Sequence, residues 1–384
     1  MITINLKEVS TLKNKNFNNN IKVIPTKTLN QLEQLVLPIS NRDTAFKNIC
    51  DFLGYLNNQY NKTNKTILPI SKDVFVKYFN NKKYTEYKTL FESLNIITRV
   101  PYEDGTFYSK DNGLSLQYRI HNSYLKADDF SLLIFKKSRN NTTKVNIQCD
   151  INNIMLDTVV KEDLDYKRVF EEEIKYHLEN NTTNFSLFIR LTRALSLNRE
   201  RYIKYGKTVN RIFHSFSNLS KVTRKCFNTK FYEVDLVNAQ PMLLALYLNK
   251  NNISYESEYR EVCEEGKFYE LFEGLLNTRD EIKVECYSSL FFDFKENSNI
   301  NKRFKELFPL LWKVLKDIKK SKVTLASILQ NLEADIFNNI EVKSSSKYYT
   351  LFDAVYFNSV NDKEYIEKQI LSYGNKHNLK FKTK

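Results

Sequence analysis

The sequence predicts an α+β fold with a helical N-terminal domain, and three observations point there. Between residues 40 and 100, apolar residues recur at helical spacing in NRDTAFKNICDFLGYLNN and in SKDVFVKYFNNKKYTEYKTLFESLNIITRV. Two strand-like runs follow, IITRVPYED and LSLQYRI, joined by a loop carrying Gly105 and Gly113. In the C-terminal half, the strand-like runs YEVD and YYTLFD each end on an acid, Asp235 and Asp353.

Taken in order, residues 1–35 are polar and rich in Asn and Lys and read as an arm. Residues 36–150 read as a helical domain, in which Ser71 is a candidate N-cap. Three helices and a two-stranded wing resemble a winged helix in pattern; the alternative is a small helical domain with a structural hairpin. On the winged-helix reading, NKKYTEYKTLFESL is the recognition helix, and Lys82, Lys83 and Lys88 meet phosphates. Residues 151–200 read as connector or thumb-like helices; their acidic run KEDLDYKRVFEEEIKYHLENN has the pattern of a solvated face. Residues 201–384 carry the remaining chemistry.

Composition narrows the function. A hydrophobic content of 42% calls for a folded chain with a real core. With only 7 Gly, and with neither G-x-x-x-x-G-K-[ST] nor G-x-G-x-x-G, the sequence argues against an ATPase or a dinucleotide enzyme. The formal net charge of +14 suits either a Lys-rich solvated surface or a polyanionic partner, nucleic acid ahead of membrane. The five cysteines form no C-x-x-C pair, and the four histidines are scattered, so reduced thiols in a cytoplasm are expected rather than a disulfide framework or a zinc site. Neither a signal peptide nor a membrane span is expected.

Asp235 ends a strand-like run, and Asn238 and Pro241 then open a buried helix. Taken alone, Asp235 also fits a plain helix-capping role. Asp353 lies at the tip of an aromatic hairpin, where a turn would ordinarily use Asn-Gly or Asp-Gly and a carboxylate needs a partner or a metal. Two such acids can converge on a pair of divalent cations, as phosphoryl transfer requires. Between them, TRDEIKVECYSSLFFDF puts Arg279 and Lys283 on one helix face, with Tyr287 and Phe291 continuing it. That face suits either a triphosphate and a base or ordinary ion pairing.

The order of these pieces resembles the family A DNA polymerases and their relatives, the single-subunit phage and mitochondrial RNA polymerases. Asp235 matches the metal-binding acid of the first motif. Arg279, Lys283 and Phe291 match the fingers helix, and Phe352-Asp353 matches the hairpin motif, which is often His-Asp. NRIFHSFSNL is similar to the segment lying along the primer–template minor groove, with Arg211 and Asn218 as counterparts; LQNLEADIF is similar to the helix whose glutamine, here Gln330, also faces the duplex. The resemblance covers residues 200–360. The chain departs from the family's pattern at Phe352, at Phe291-Phe292 in place of Tyr-Gly, and at Asn-Ala-Gln-Pro after the first acid.

The resemblance implies a right-hand palm and fingers core and template-directed nucleotidyl transfer in replication or priming for a phage or mobile element. It implies two Mg²⁺ ions, replaceable by Mn²⁺, on Asp235, Asp353 and the Leu236 carbonyl. Arg279, Lys283, Tyr287, Phe291 and Gln240 would contact the incoming nucleotide, with Lys283 also protonating the leaving group. The expected partners are a DNA or RNA template and primer and nucleoside triphosphates. Gln240 and Phe291 lean towards deoxynucleotides; an RNA polymerase or primase, and an inactive DNA-binding initiator, are the rivals. No 3′–5′ exonuclease is expected in the first 200 residues.

Overall fold

The computed structural model describes residues 2–5, 20–34, 42–63, 65–103, 105–107, 115–121, 124, 130–135, 144–180, 182, 184–197, 200–320, 324–343 and 346–384. Its architecture is α+β. Contacts divide the chain into two units: Met1–Lys144 with Asp163–Arg201 and Asn218–Asn228, and Val145–Glu162 with Tyr202–Ser217 and Thr229–Lys384. The expected connector over 151–200 is therefore not one piece, because residues 151–162 pack in the second unit and 163–200 in the first.

The first unit begins with β1 (Ile2–Asn5), β2 (Asn20–Pro25) and α1 (Thr26–Gln34). The polar arm expected over 1–35 is thus structured where it is described, since β1 and β2 flank a later strand, β6 (Phe130–Phe135), in the order β1-β6-β2; its residues 6–19 lie outside the described ones. Between β2 and β6 come α2 (Arg42–Thr63), β3 (Ile67–Pro69), α3 (Lys72–Ser93), β4 (Ile97–Val100) and β5 (Gln117–Ile120). Helix α3 is two helices in effect. Asn80 breaks it at φ 59°, and the Asn80 side chain accepts from the N–H groups of Lys82 and Lys83, which caps the second arm. Ser71 stands at the N-cap of the first arm without a side-chain capping bond.

Strands β3, β5 and β4 form an antiparallel sheet in that order, with Ile67 opposite Arg119 and Ile97 opposite Ile120. The Phe52 ring of α2 lies 4.9 Å from Phe75, 5.4 Å from Phe79 and 4.8 Å from Phe91, so one aromatic cluster holds both arms of α3. Of the loop glycines, Gly105 turns at φ 81°, and Gly113 lies outside the described residues.

The chain then contributes β7 (Lys144–Gln148) and α4 (Asn153–Lys161), and returns to the first unit as α5 (Tyr166–Glu179) and α6 (Asn184–Ser196). The acidic run is not wholly solvated. Glu173 on α5 is fully buried and takes bonds from Arg190 and Thr223, because one helix face must pack.

β8 (Glu200–Tyr205), which belongs to the second unit from Tyr202 on, and β9 (Ile212–His214) complete a sheet ordered β7-β8-β9. After a short helix, α7 (Lys221–Arg224), in the first unit, the chain forms β10 (Tyr232–Asp235), α8 (Ala239–Lys250), α9 (Ser257–Glu265) and α10 (Arg279–Cys286). There follow α11 (Asn299–Leu307), α12 (Pro309–Lys320), α13 (Leu325–Phe337), the hairpin of β11 (Tyr348–Leu351) and β12 (Ala354–Phe357), and α14 (Lys363–Asn375). Strand β12 lies between β10 and β11, antiparallel to both. The α8 sequence AQPMLLALYL is buried on nearly all sides, which is why it lacks a polar face. Buried His214 bonds through Nε2 to the Thr350 carbonyl at 2.7 Å, tying β9 to β11. Among the described residues no helix is long and apolar enough to cross a membrane.

Candidate active site

Two chain turns bring the acids together. Asp235 is the last residue of β10 and pairs with Ala354, the first of β12. Beyond it Asn238 takes φ 52° and swings the chain into α8; asparagine tolerates this left-handed conformation better than most residues. The Asn238 side chain makes no capping bond, so the reversal rests on its backbone. On the other flank of β10 runs the segment 382–384. Asp235 and Lys384 exchange N–H···O bonds at 3.1 Å each, and Val237 N–H reaches the Lys382 carbonyl at 2.8 Å.

The second acid sits in a two-residue hairpin turn. Leu351 pairs with Ala354, leaving Phe352 and Asp353 as the loop. Phe352 has φ 56°, a conformation that tight hairpins demand of the first central residue and that bulky side chains resist. The stacked pair Tyr349 and Tyr356, at 4.8 Å, holds the strands below, and the Arg211 guanidinium lies 5.1 Å from the half-exposed Phe352 ring. Strain of this kind persists only where its surroundings over-determine it, and it concentrates at functional sites.

Electrostatics join these groups into one site. Burial, and after it the neighbouring Asp235 carboxylate, push Asp353 up to about 6, while Lys283 and Arg211 pull it down. Burial pushes Tyr287 up to about 12, helped by Asp353, Glu333 and Asp235. Lys384 Nζ lies 2.9 Å from Asp235 Oδ2. Sequence reasoning missed Glu333. It is 1% exposed, and burial raises its pKa to about 7 against the pull of Arg211, whose guanidinium it binds at 2.5 Å. The available signal was an acid on the apolar stripe of α13, at helical spacing from Leu329 and Ile336.

Helix α10 opens with a full capping box between Thr278 and Glu281. Arg279 is exposed, ion-paired to Glu270 at 3.2 Å and placed 5.3 Å from the Tyr269 ring. One turn on, Lys283 lies 5.8 Å from the Tyr287 ring. The helix then widens into a π turn, Tyr287–Phe292. A π turn carries more residues per turn than an α-helix, so the face expected to run from Arg279 to Phe291 does not continue. Phe291 is fully buried against Phe268 at 6.1 Å and Tyr287 at 6.4 Å, while Phe292 is exposed.

The remaining expected residues divide by unit. Gln240 is buried in the first turn of α8, and Gln330 is half-buried on α13, both in the second unit. Asn218, together with exposed Lys82 and Lys83 and half-exposed Lys88, belongs to the first unit.

The donor set fits a hard divalent cation. Among the described residues, no three or more His, Cys, Asp or Glu side chains form a metal cage. Mg²⁺, however, is commonly held by one or two carboxylates with substrate phosphates and water. Asp235 and Asp353 repel each other, and the Lys384 ammonium already stands where a positive charge relieves Asp235. Leu236 donates its N–H to the Asp353 carbonyl at 3.0 Å. In an extended segment the carbonyl of the same residue leaves on that side, so Leu236 can add an oxygen. No family model matches the chain, and no curated protein matches it in sequence.

Proposed function

We propose that this protein is a template-directed nucleotidyl transferase with a right-hand polymerase palm and fingers in its second unit, most simply a DNA polymerase or primase-polymerase of a phage or mobile element. The observation that carries this reading is the convergence of Asp235, at the end of β10, and Asp353, in the turn of the adjacent β11–β12 hairpin, with Lys283 acting electrostatically on Asp353. An inactive initiator would have no need to keep two repelling carboxylates at such an expensive position.

Asp235, Asp353 and the Leu236 carbonyl would hold the cations. When bound, two Mg²⁺ ions supply activation of the attacking 3′-hydroxyl and neutralisation of the leaving pyrophosphate. Lys283 grips the triphosphate and protonates the leaving oxygen; such preset charges act most where charge develops, in a site that excludes water. Arg279 releases Glu270 to join that grip, and Lys384 releases Asp235. Gln240 crowds the 2′ side of the incoming sugar.

The first unit is read as the nucleic-acid module. What supports this is the order α2, β3, the two arms of α3, β4 and β5 within it, with the sheet order β3-β5-β4, which resembles a winged helix. The second arm of α3 is then the recognition helix, with Lys82 and Lys83 on phosphates. The test is extension of labelled primed and unprimed templates with Mg²⁺, supplying dNTPs or NTPs. Extension of primed template by dNTPs supports the reading; better use of NTPs turns it to an RNA polymerase or primase, and no incorporation under any of these conditions overturns it.

A further inference from the structure

Glu333 is not explained by stability. Its Oε2 takes the Arg211 guanidinium at 2.5 Å, and its Oε1 has no hydrogen-bond partner among the described residues. A buried carboxylate with one oxygen unmet is costly, and an apolar residue of similar volume in such a place is often no less stable. The same helix grips the residue before Arg211. Asn331 Oδ1 accepts from the Asn210 N–H, and Asn338 Nδ2 donates to the Asn210 carbonyl, each at 2.8 Å. Three bonds from α13 and the C-cap residue after it therefore fix Asn210 and Arg211. From there the guanidinium reaches the Phe352 ring and acts on Asp353.

We propose that Glu333 is a positioning residue that holds Arg211 against the Phe352–Asp353 turn, and through it fixes the Asp353 carboxylate beside Asp235. At 1% exposure Glu333 does not touch a substrate; besides the charge it presents to Asp353 and Tyr287, it acts on the site by holding Arg211, and that hold is what is proposed. The catalytic part of this inference rests on the polymerase reading; the anchoring of Arg211 does not.

The test is a double-mutant cycle of Glu333→Gln, Arg211→Ala and both together. Primer extension by dNTPs is measured on protein shown to be folded by its thermal transition. Glu333→Gln lowers kcat at least tenfold with the nucleotide KM within threefold, and in the Arg211→Ala background it changes kcat less than twofold. Alongside, the Arg211 Nη2–H signal, the donor in the bond to Glu333, is followed by NMR, assigned by its loss in Arg211→Ala. Its exchange with solvent accelerates in Glu333→Gln. Independent, multiplying effects on kcat, a kcat within twofold of wild type, or an unchanged Nη2–H exchange rate overturns the proposal. If wild type itself incorporates nothing, the polymerase reading fails, and the exchange rate still decides whether Glu333 anchors Arg211. If Glu333→Gln does not fold, Glu333→Asp, which keeps the charge and shortens the reach, takes its place in the same cycle.

Discussion

The N–H of Leu236 donates to the carbonyl of Asp353 at 3.0 Å, and this bond ties the end of β10 to the turn of the β11–β12 hairpin. It keeps two carboxylates adjacent whose charges oppose each other. The polymerase proposal makes that adjacency the centre of the chemistry, and most of its consequences can be tested by single substitutions.

Asp235→Asn and Asp353→Asn should each lower nucleotide incorporation at least ~100-fold, a loss of about 2.7 kcal/mol, because each removes half of the carboxylate pair. Binding of primed DNA, which rests on distributed basic side chains, should stay largely intact. Full incorporation by either variant would assign the chemistry to other acids.

Asp353→Asn should also stabilise the fold at neutral and alkaline pH. The folded-state pKa of Asp353 is raised to about 6 from an ordinary 3.8. Between those values the folded state binds the proton that the unfolded state has lost, so wild-type stability falls as pH rises through this window and stays reduced above it. Asparagine removes that penalty, and it also suits a tight turn. The Tm of the variant should exceed that of wild type at pH 8, and the difference should vanish near pH 4. A gap independent of pH would mean that the turn, and not the charge, sets the difference.

Lys283→Ala should cut kcat about tenfold or more, equivalent to about 1.4 kcal/mol, and weaken nucleotide binding. Arg279→Ala should be milder, since Arg279 is exposed and already paired with Glu270. Steady-state kinetics within twofold of wild type for Lys283→Ala would return it to an ordinary helix face.

Neutralising Lys82 and Lys83 together should flatten the dependence of log K on log salt for duplex DNA, by about 0.9 for each phosphate that a lysine no longer neutralises. Extension at saturating primed template should persist. Point substitutions are the right instrument, because a cut near residue 150 would divide the first unit, which also contains Asp163–Arg201. An unchanged slope would remove the recognition role from α3.

Gln240→Ala should raise NTP incorporation more than it lowers dNTP incorporation, as a side chain filling the space beside the sugar is shortened. The ratio of the two incorporation rates at equal concentration measures this directly. A ratio unmoved by the substitution would take sugar selection away from α8.

Much of the local structure was legible in the sequence. The strand-like run up to Asp235, the helix after Asn238 and the hairpin around Asp353 follow from alternation, apolar content and turn position, which are properties of neighbours in the chain. The hairpin β4–β5 and the two arms of α3 were legible for the same reason. What lay beyond reach was set by pairing between distant segments. The sequence 1–35 reads as a polar arm because its strands complete a sheet only with β6. Phe291 reads as a nucleotide-binding residue because α-helical spacing puts it below Lys283, and the π turn that buries it is a packing outcome. Glu333 reads as one more polar helix residue until Arg211, far away in sequence, closes on it. By itself the sequence determined which acids stand at strand ends and which cations share a helix face. Only the tertiary structure decided that Asp235 and Asp353 share one site and that Lys384 and Glu333 stand beside them, because strand pairing and burial join residues that no local pattern can connect.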